Sequence, residues 1–253
     1  MSVRPRVFAI GTIASAHECD AIRRLAESRV TSSVTYIAGQ AVKQNSARTS
    51  SSGWLNLPAD GATGDEAALR AVWQRLASIV RLDTRTSENM QAISYRVGEH
   101  YHYHMDTGGA PNIAGRAVTA LLYLSDGFTG GETSFALSND QSGNGTRNNV
   151  YRVREEFDGC STDRGIAVTP KAGTAVVFYN LHPNSASKDW SAWHASCDVR
   201  SGVKWAANLW FHLSLAERLY LQSGEPPQRW PQQSLDEALV ASAHTRSGVG
   251  PQL

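Results

Sequence analysis

The stretch VKWAANLWFH, residues 203–212, decides how the rest of the chain is read. Side chains alternate between the two faces of a strand. Its odd positions, Val203, Trp205, Ala207, Leu209 and Phe211, are uniformly apolar and suit packing on a helical layer. Its even positions collect Lys204, Ala206, Asn208, Trp210 and His212. A strand face turned to solvent more usually carries Thr, Lys and Glu. This mixture of cation, amide, indole and imidazole fits a face that lines a ligand cavity in a sandwich or barrel. The plainer alternative is an edge strand with a random polar face.

Upstream, from about residue 90, short β-branched and aromatic runs share that texture: MQAISYRV, AVTALLYLS, GIAVT and TAVVFYN, separated by Gly, Pro, Asn and Asp. They read as an antiparallel sandwich or barrel. Residues 1–85 read as helical. Ser15-x-x-Glu18 is a capping-box pattern opening a helix over about 15–29, with Cys19, Ile22 and Ala26 at helical spacing. Thr63-x-x-Glu66 is expected to cap a second helix over about 64–80, with Leu69, Val72, Leu76 and Ile79 or Val80 as its buried stripe. Two helices leading into a sandwich predict a single α+β domain over 1–213, with its β core at 86–213. Residues 138–164 read as a long polar surface loop. Residues 214–253, with Pro226-Pro227, read as a weakly ordered tail with one short helix near 235–242.

Composition narrows the partners. The chain has 253 residues, is 41% apolar and carries a formal charge of +1. That apolar share supports a sizeable core, without a run of about 18 apolar residues to span a membrane. With no basic face evident, neither nucleic acid nor an anionic membrane is the expected partner. The N-terminal apolar patch is too broken for an export signal, so a cytoplasmic protein is expected. Three cysteines are too few for a disulfide scaffold. Cys19 sits at a core position of the first helix pattern, and Cys160 and Cys197 could pair only if the fold brings them together.

The stretch GEHYHYHMD, residues 98–106, carries His100, His102 and His104 at alternate positions, then Asp106. On a strand, His104-x-Asp106 would put an imidazole and a carboxylate on one side of the sheet, and His102-x-His104 would do the same with two imidazoles. Facial-triad iron sites use two histidines and one carboxylate and leave the opposite positions open. The distal histidine could be His182, His194 or His212. Lys204 follows His194 by ten residues, past a turn at Ser201-Gly202. A hairpin there would hold imidazole and ammonium in one cavity, the lysine anchoring the far carboxylate of a dicarboxylate whose near end chelates iron.

At this point the motifs resemble a known family. Tyr95-x-x-Gly98-Glu99-x-Tyr101-x-x-His104-x-Asp106 resembles the proximal motif of the prolyl 4-hydroxylases. Arg116-x-x-Thr119-x-Leu121-x-Tyr123-Leu124, Gly130-Gly131-Glu132-Thr133 and Val168-x-Pro170-x-x-Gly173 follow in order, and residues 178–210 are similar to plant and algal members. Arg48-Thr49-Ser50 and Glu88-Asn89-x-Gln91 also match. The resemblance implies a 2-oxoglutarate- and Fe(II)-dependent dioxygenase on a double-stranded β-helix (jelly-roll) core, with the N-terminal helices packed on one sheet. It implies His104, Asp106 and His194 as iron ligands. It implies Lys204 as partner of the distal 2-oxoglutarate carboxylate, helped by Tyr95 and Thr133. Arg48, Ser50, Glu88, Tyr101, Arg116, Trp210 and His212 occupy positions that line the substrate groove in relatives. Dioxygen is the expected oxidant and ascorbate the expected reductant.

Several expectations follow from this resemblance. Tyr95 and Tyr101 should face the site together with His104, which strict alternation forbids, so a bulge or bend is expected between Tyr101 and His104, with His102 left outside. The rival is a cupin-like site on His102 and His104. Cys160 and Cys197 match a paired couple in plant members, yet a cytoplasmic protein is expected to keep them as free thiols. The expected substrate is a prolyl residue in a peptide. The alternative is a free cyclic amino acid, proline or pipecolate, whose carboxylate the arginines would hold. A non-catalytic binding module is the remote reading, and the sequence leaves the oligomeric state open.

Overall fold

A computed structural model describes residues 2–3, 5–37, 40–43, 46–108, 115–138, 160, 165–182 and 187–213. The expected 138–164 loop, apart from Ser138 and Cys160, and the expected tail lie outside the described residues. In chain order the elements are β1 (Ser2–Val3), β2 (Arg6–Ile10), α1 (Ala16–Glu27), β3 (Thr31–Ser32), β4 (Val34–Ile37), β5 (Gln40–Lys43), β6 (Ser51–Leu55) and α2 (Gly64–Val80). There follow β7 (Met90–Tyr95), β8 (Tyr101–His104), β9 (Arg116–Tyr123), β10 (Thr129–Gly130), β11 (Thr133–Phe135) and β12 (Ile166–Val168). The last are β13 (Ala175–Tyr179), β14 (His194–Ser196), β15 (Val199–Ser201) and β16 (Lys204–His212).

Eight strands form one antiparallel sheet in the order β1-β2-β13-β9-β16-β7-β6-β3, and four form a smaller one, β12-β11-β14-β8. The alternation read in residues 203–212 explains the layering. Ala207, Leu209 and Phe211 of β16 pack with Ala120 and Leu122 of β9 against Cys19 and Ile22 of α1 and Leu69, Trp73 and Leu76 of α2. The opposite face carries Ala206, Leu121 and Tyr123, which meet Phe135, Val168 and Phe178 in a second core between the sheets. A strand buried on both faces must be apolar on the helix side and selective on the other, and β16 lies at the centre of the sheet, between β9 and β7. The fold is therefore α+β, helices on one face of a two-sheet sandwich.

Local signals held unevenly. Ser15 and Glu18 form a reciprocal capping box at the start of α1. Thr63 stands at the N-cap of α2, but its side chain makes no capping hydrogen bond; Asp65 and Glu66 supply negative charge to that first turn instead. Among the described residues, the first 85 hold six strands as well as the helices. Periodicity could not find them, because they are short and take their place from neighbours: β2 pairs with β13, and β6 with β7.

Candidate metal centre and co-substrate pocket

The expected slip in the ladder is present and positions the centre. Chain leaves the large sheet after Tyr95 and enters the small one at Tyr101. There His104 pairs with His194 and Tyr101 with Ser196, so three steps on β8 oppose two on β14. The extra residue rotates Tyr101 onto the His104 side. The two rings stack, centroids 3.6 Å apart. Directly opposed residues share a face, so His104 and His194 also meet, at 4.4 Å between centroids. Asp106, two residues past His104, is buried beside them.

Ligand atoms of His104, Asp106 and His194 lie within 4.8 Å of one another, and theirs is the one such cluster among the described residues. His104 Nε2 is 3.4 Å from Asp106 Oδ1, and His194 Nε2 is 3.8 Å from Oδ2. Each imidazole has its Nδ1 on a main-chain carbonyl, His104 on His102 at 2.8 Å and His194 on Ala192 at 2.9 Å. Donation from Nδ1–H to those carbonyls leaves each Nε2 lone pair aimed at the cluster, as a metal-ligating histidine requires. Burial pushes the His194 pKa down to about 4, reinforced by His104 and opposed by Asp106, so the ring is neutral and ligand-ready. Burial alone would raise the Asp106 pKa; the His194 and His104 imidazoles overcome it and hold the carboxyl ionised, well below the usual range. Two imidazoles and one carboxylate fit a ferrous ion.

His100 and His102 stand apart from that cluster. Their rings contact each other at 4.4 Å, and His100 bonds Asp198 and the Ser46 carbonyl.

Lys204 ends in the same pocket, which it lines with Ile93, Tyr95, Thr133, His194 and Asn208. The lysine is 1% exposed, and its Nζ donates to Gly131 O and Ser196 Oγ, both at 2.7 Å. Neither acceptor is charged. Burial pushes its pKa down to about 7, against the pull of the Glu132 carboxylate. A desolvated ammonium of this kind is stabilised by an anionic partner. Glycine is required beside it: Gly131 has φ +66°, and a Cβ there would come within 2.9 Å of Lys204 Cδ. Tyr95, opposite Lys204 in the ladder, lies with its ring 4.9 Å from Nζ. Thr133 is buried and accepts from Tyr123 Oη at 2.7 Å. His194 and Lys204 are not joined by a hairpin, since β14 lies in the small sheet and β16 in the large one. The chain crosses between sheets through β15, which sets the two groups on opposite walls.

The remaining expected residues form two linked clusters. Arg116 grips Glu88 with two bonds, 2.5 and 2.7 Å, and lies 3.7 Å over the Trp210 ring. His212 bonds the same Glu88 at 2.8 Å. Arg48 donates to Ser50 Oγ, Val34 O and Gln91 Oε1, and lies 4.6 Å over the Tyr101 ring.

The free-thiol expectation is overturned. Cys160 and Cys197 form a disulfide across a sequence separation of 37 residues. The cause is positional: Cys197 follows β14 with its N–H on Glu132 O, and its Cα lies 5.1 Å from that of Cys160. Sequence reasoning also missed Thr119, Asn180, Ser196 and Tyr123 as partners of these groups. Thr119 and Tyr123 alternate with apolar residues on one face of AVTALLY, a signal that was available; Asn180 and Ser196 carried none.

The chain is similar to known proteins over most of its length. Residues 90–212 match the family model described as 2OG-Fe(II) oxygenase superfamily. Probable prolyl 4-hydroxylase 7 of Arabidopsis thaliana is 32% identical over 231 residues, covering 88% of this chain and 68% of that protein. Prolyl 4-hydroxylase 5 of the same plant is 30% identical, covering 84% and 70%. Among solved structures, the viral collagen prolyl hydroxylase of Paramecium bursaria Chlorella virus-1, in its 2OG complex, superposes with a TM-score of 0.53 at 20% identity, covering 82% of this chain and 96% of the other. A Trichoplax adhaerens prolyl hydroxylase bound to a hypoxia inducible factor peptide fragment gives 0.57 at 16% identity, covering 84% and 86%.

Proposed function

The chain belongs to the 2OG-Fe(II) oxygenase superfamily, and from that footing we propose that it hydroxylates a prolyl residue within a peptide. It is a 2-oxoglutarate-dependent dioxygenase whose curated relatives are prolyl 4-hydroxylases. In this reading His104, Asp106 and His194 hold Fe(II), and the observation that carries it is their convergence within 4.8 Å in the pocket that Lys204 enters. With 2-oxoglutarate and dioxygen, the iron supplies insertion of oxygen into an unactivated C–H bond while the keto acid becomes succinate and carbon dioxide.

The chain's own side chains do the positioning. Lys204 pairs with the distal carboxylate of 2-oxoglutarate, which gives that desolvated ammonium its counter-ion, with Tyr95 and Thr133 as the adjoining wall. Tyr101 and Trp210 offer aromatic faces to a saturated ring. Phe178 and Phe135, 4.6 and 5.5 Å from the His194 ring, keep water from the ligand's inner side. Ascorbate is the proposed reductant for iron that oxidises without productive turnover.

Pairing of the arginines favours a peptide over a free amino acid. A free amino acid needs a cation for its carboxylate, but Arg116 is committed to Glu88 through two bonds. Arg48 is directed at three acceptors of its own. These residues serve as groove walls, with Ser50 and His212 between them. The test is parallel turnover of a proline-rich peptide and of free proline and pipecolate. Peptide hydroxylation supports the proposal; turnover of the free amino acids alone would reverse it.

No helix among the described residues is long and apolar enough to cross a membrane. Disulfides persist in oxidising compartments, so the Cys160–Cys197 bond directs the expected location away from the cytoplasm and towards such a compartment. Intact mass of protein from its native source, with and without reductant, tests this. A difference of two hydrogens is expected, and none would restore the cytoplasmic reading.

A further inference from the structure

Asn180 follows β13 directly and is fully buried. Its Nδ2 donates to Thr119 Oγ1 at 2.9 Å, and Thr119 Oγ1 donates to Asp106 Oδ2 at 2.7 Å. The direction of this relay is forced. A carboxylate that ligates iron only accepts, and a hydroxyl has a single proton. Thr119 therefore gives its proton to Asp106 and must accept from its other neighbour, which turns the amide nitrogen of Asn180 towards it. Asn180 Oδ1 is left buried with no hydrogen-bond partner among the described residues. Such an orphan is costly, so an amide at this position answers to something other than packing.

A second connection reaches the other buried ligand. The Asn180 carbonyl accepts the N–H of Asp189 at 2.9 Å. Asp189 in turn accepts from Ser191 N at 3.0 Å and from Ser191 Oγ, capping the 3-10 turn Trp190–Ala192. The carbonyl of Ala192, at the end of that turn, receives Nδ1–H of His194 at 2.9 Å.

We infer that Asn180 is a positioning residue of the iron site: its side chain fixes the Asp106 carboxylate through Thr119, and its backbone anchors the turn whose carbonyl orients His194. This rests on the reading that His104, Asp106 and His194 hold Fe(II). Asn180 touches none of the three ligands itself. It acts by limiting rotation of the Asp106 carboxylate, a torsion that is otherwise broad. Partners that orient metal ligands are typically worth about 10- to 100-fold in metal affinity.

The experiment measures binding of the metal alone: Fe(II) without oxygen, and Co(II) followed by its visible absorption. The proteins are the parent chain, Asn180→Leu, Asn180→Ala, Thr119→Val, Thr119→Ser, and Thr119→Val combined with Asn180→Leu. Asn180→Leu keeps the residue's size and removes the orphan oxygen, and near-ultraviolet circular dichroism verifies the fold. Asn180→Leu and Thr119→Val are each expected to weaken binding by about 10- to 100-fold and to alter the Co(II) band. The double variant should bind no more weakly than Thr119→Val, because both changes cut one relay. Thr119→Ser, which keeps the hydroxyl, should bind like the parent. Parent-like affinity in both Asn180 variants overturns the inference. So does an Asn180 effect that persists undiminished in the Thr119→Val background, since that marks a merely structural role. Should the Asn180 substitutions compromise folding, unaltered affinity in Thr119→Val overturns it alone. A parent that binds no metal brings down the iron-site reading itself, a result distinct from a parent that binds while its variants bind equally well.

Discussion

The two ends of the even-numbered face of β16, Lys204 at the inner end and Trp210 and His212 at the outer, treat charge in opposite ways. At the inner end, Lys204 is buried on two neutral acceptors, and ligand atoms of His104, Asp106 and His194 converge within 4.8 Å. At the outer end, charge is already matched: Arg116 holds Glu88, and His212 shares the same carboxylate. A buried charge left without a counter-ion is expensive, and a chain retains one where a ligand supplies the partner. On the proposed reading the inner end receives ions and the outer end presents a shaped, internally satisfied surface. That difference would separate co-substrate from substrate, and it argues for a substrate recognised by shape and aromatic contact.

The contrast can be broken most severely at the metal. Asp106→Ala and His194→Ala should abolish Fe(II) binding and the succinate formed without substrate, whereas His102→Ala should leave both intact; calorimetry and succinate release measure them. The reverse pattern would favour the rival pair, His102 and His104.

Lys204→Met should weaken 2-oxoglutarate binding by about 3–5 kcal/mol, the usual cost of removing one partner of a buried pair. That is roughly 10²- to 5 × 10³-fold in Kd. Without ligand the melting temperature should change little, because the lost hydrogen bonds and the removed desolvated ammonium offset each other. A fall in stability with unchanged 2-oxoglutarate affinity would make Lys204 structural.

At the outer end Glu88→Gln should cost stability, about 1–3 kcal/mol, and should barely affect 2-oxoglutarate. Burial works to raise the Glu88 pKa, but Arg116 and His212 overcome it and hold it below its ordinary 4.5. The contribution of Glu88 to stability is thus complete above about pH 4.5 and is lost as pH falls through the lowered folded value. Chemical denaturation from pH 3 to pH 7 (about the range that matters) should show this dependence in the parent and lose it in Glu88→Gln.

The smallest effect concerns protons. With its pKa near 7 in the free protein, Lys204 is partly neutral above that pH and must gain a proton to pair with the incoming carboxylate. Binding of 2-oxoglutarate should take up a fraction of a proton above neutral pH and almost none well below it. Calorimetry in buffers of different ionisation enthalpy reads this directly.

Much of this arrangement was legible in the sequence, for physical reasons. Strict alternation in residues 203–212 predicted which face of β16 meets the helices and which meets the pocket, because a central strand has no solvent face on which to be careless. The clash of parity between Tyr101 and His104 predicted a slipped register, and the ladder carries one. Motif resemblance, rather than spacing, singled out His194 from His182 and His212. Other features depended on contacts that no local pattern encodes. The short strands β2 and β6 take their place from β13 and β7, later in the chain. Asn180 looks like an ordinary strand end until the Thr119 hydroxyl is placed within reach of its side chain. The Cys160–Cys197 bond set geometry against an argument from compartment, and geometry prevailed.

One measurement bears most directly on the claim that the inner end takes iron and 2-oxoglutarate while the outer end takes a peptide: aerobic turnover of a proline-rich peptide with Fe(II), ascorbate and 2-oxoglutarate, reading succinate and peptide mass together. The account predicts one oxygen added on a prolyl residue for each succinate formed. Succinate without peptide oxidation, while free proline or pipecolate is hydroxylated in step with it, would contradict the account.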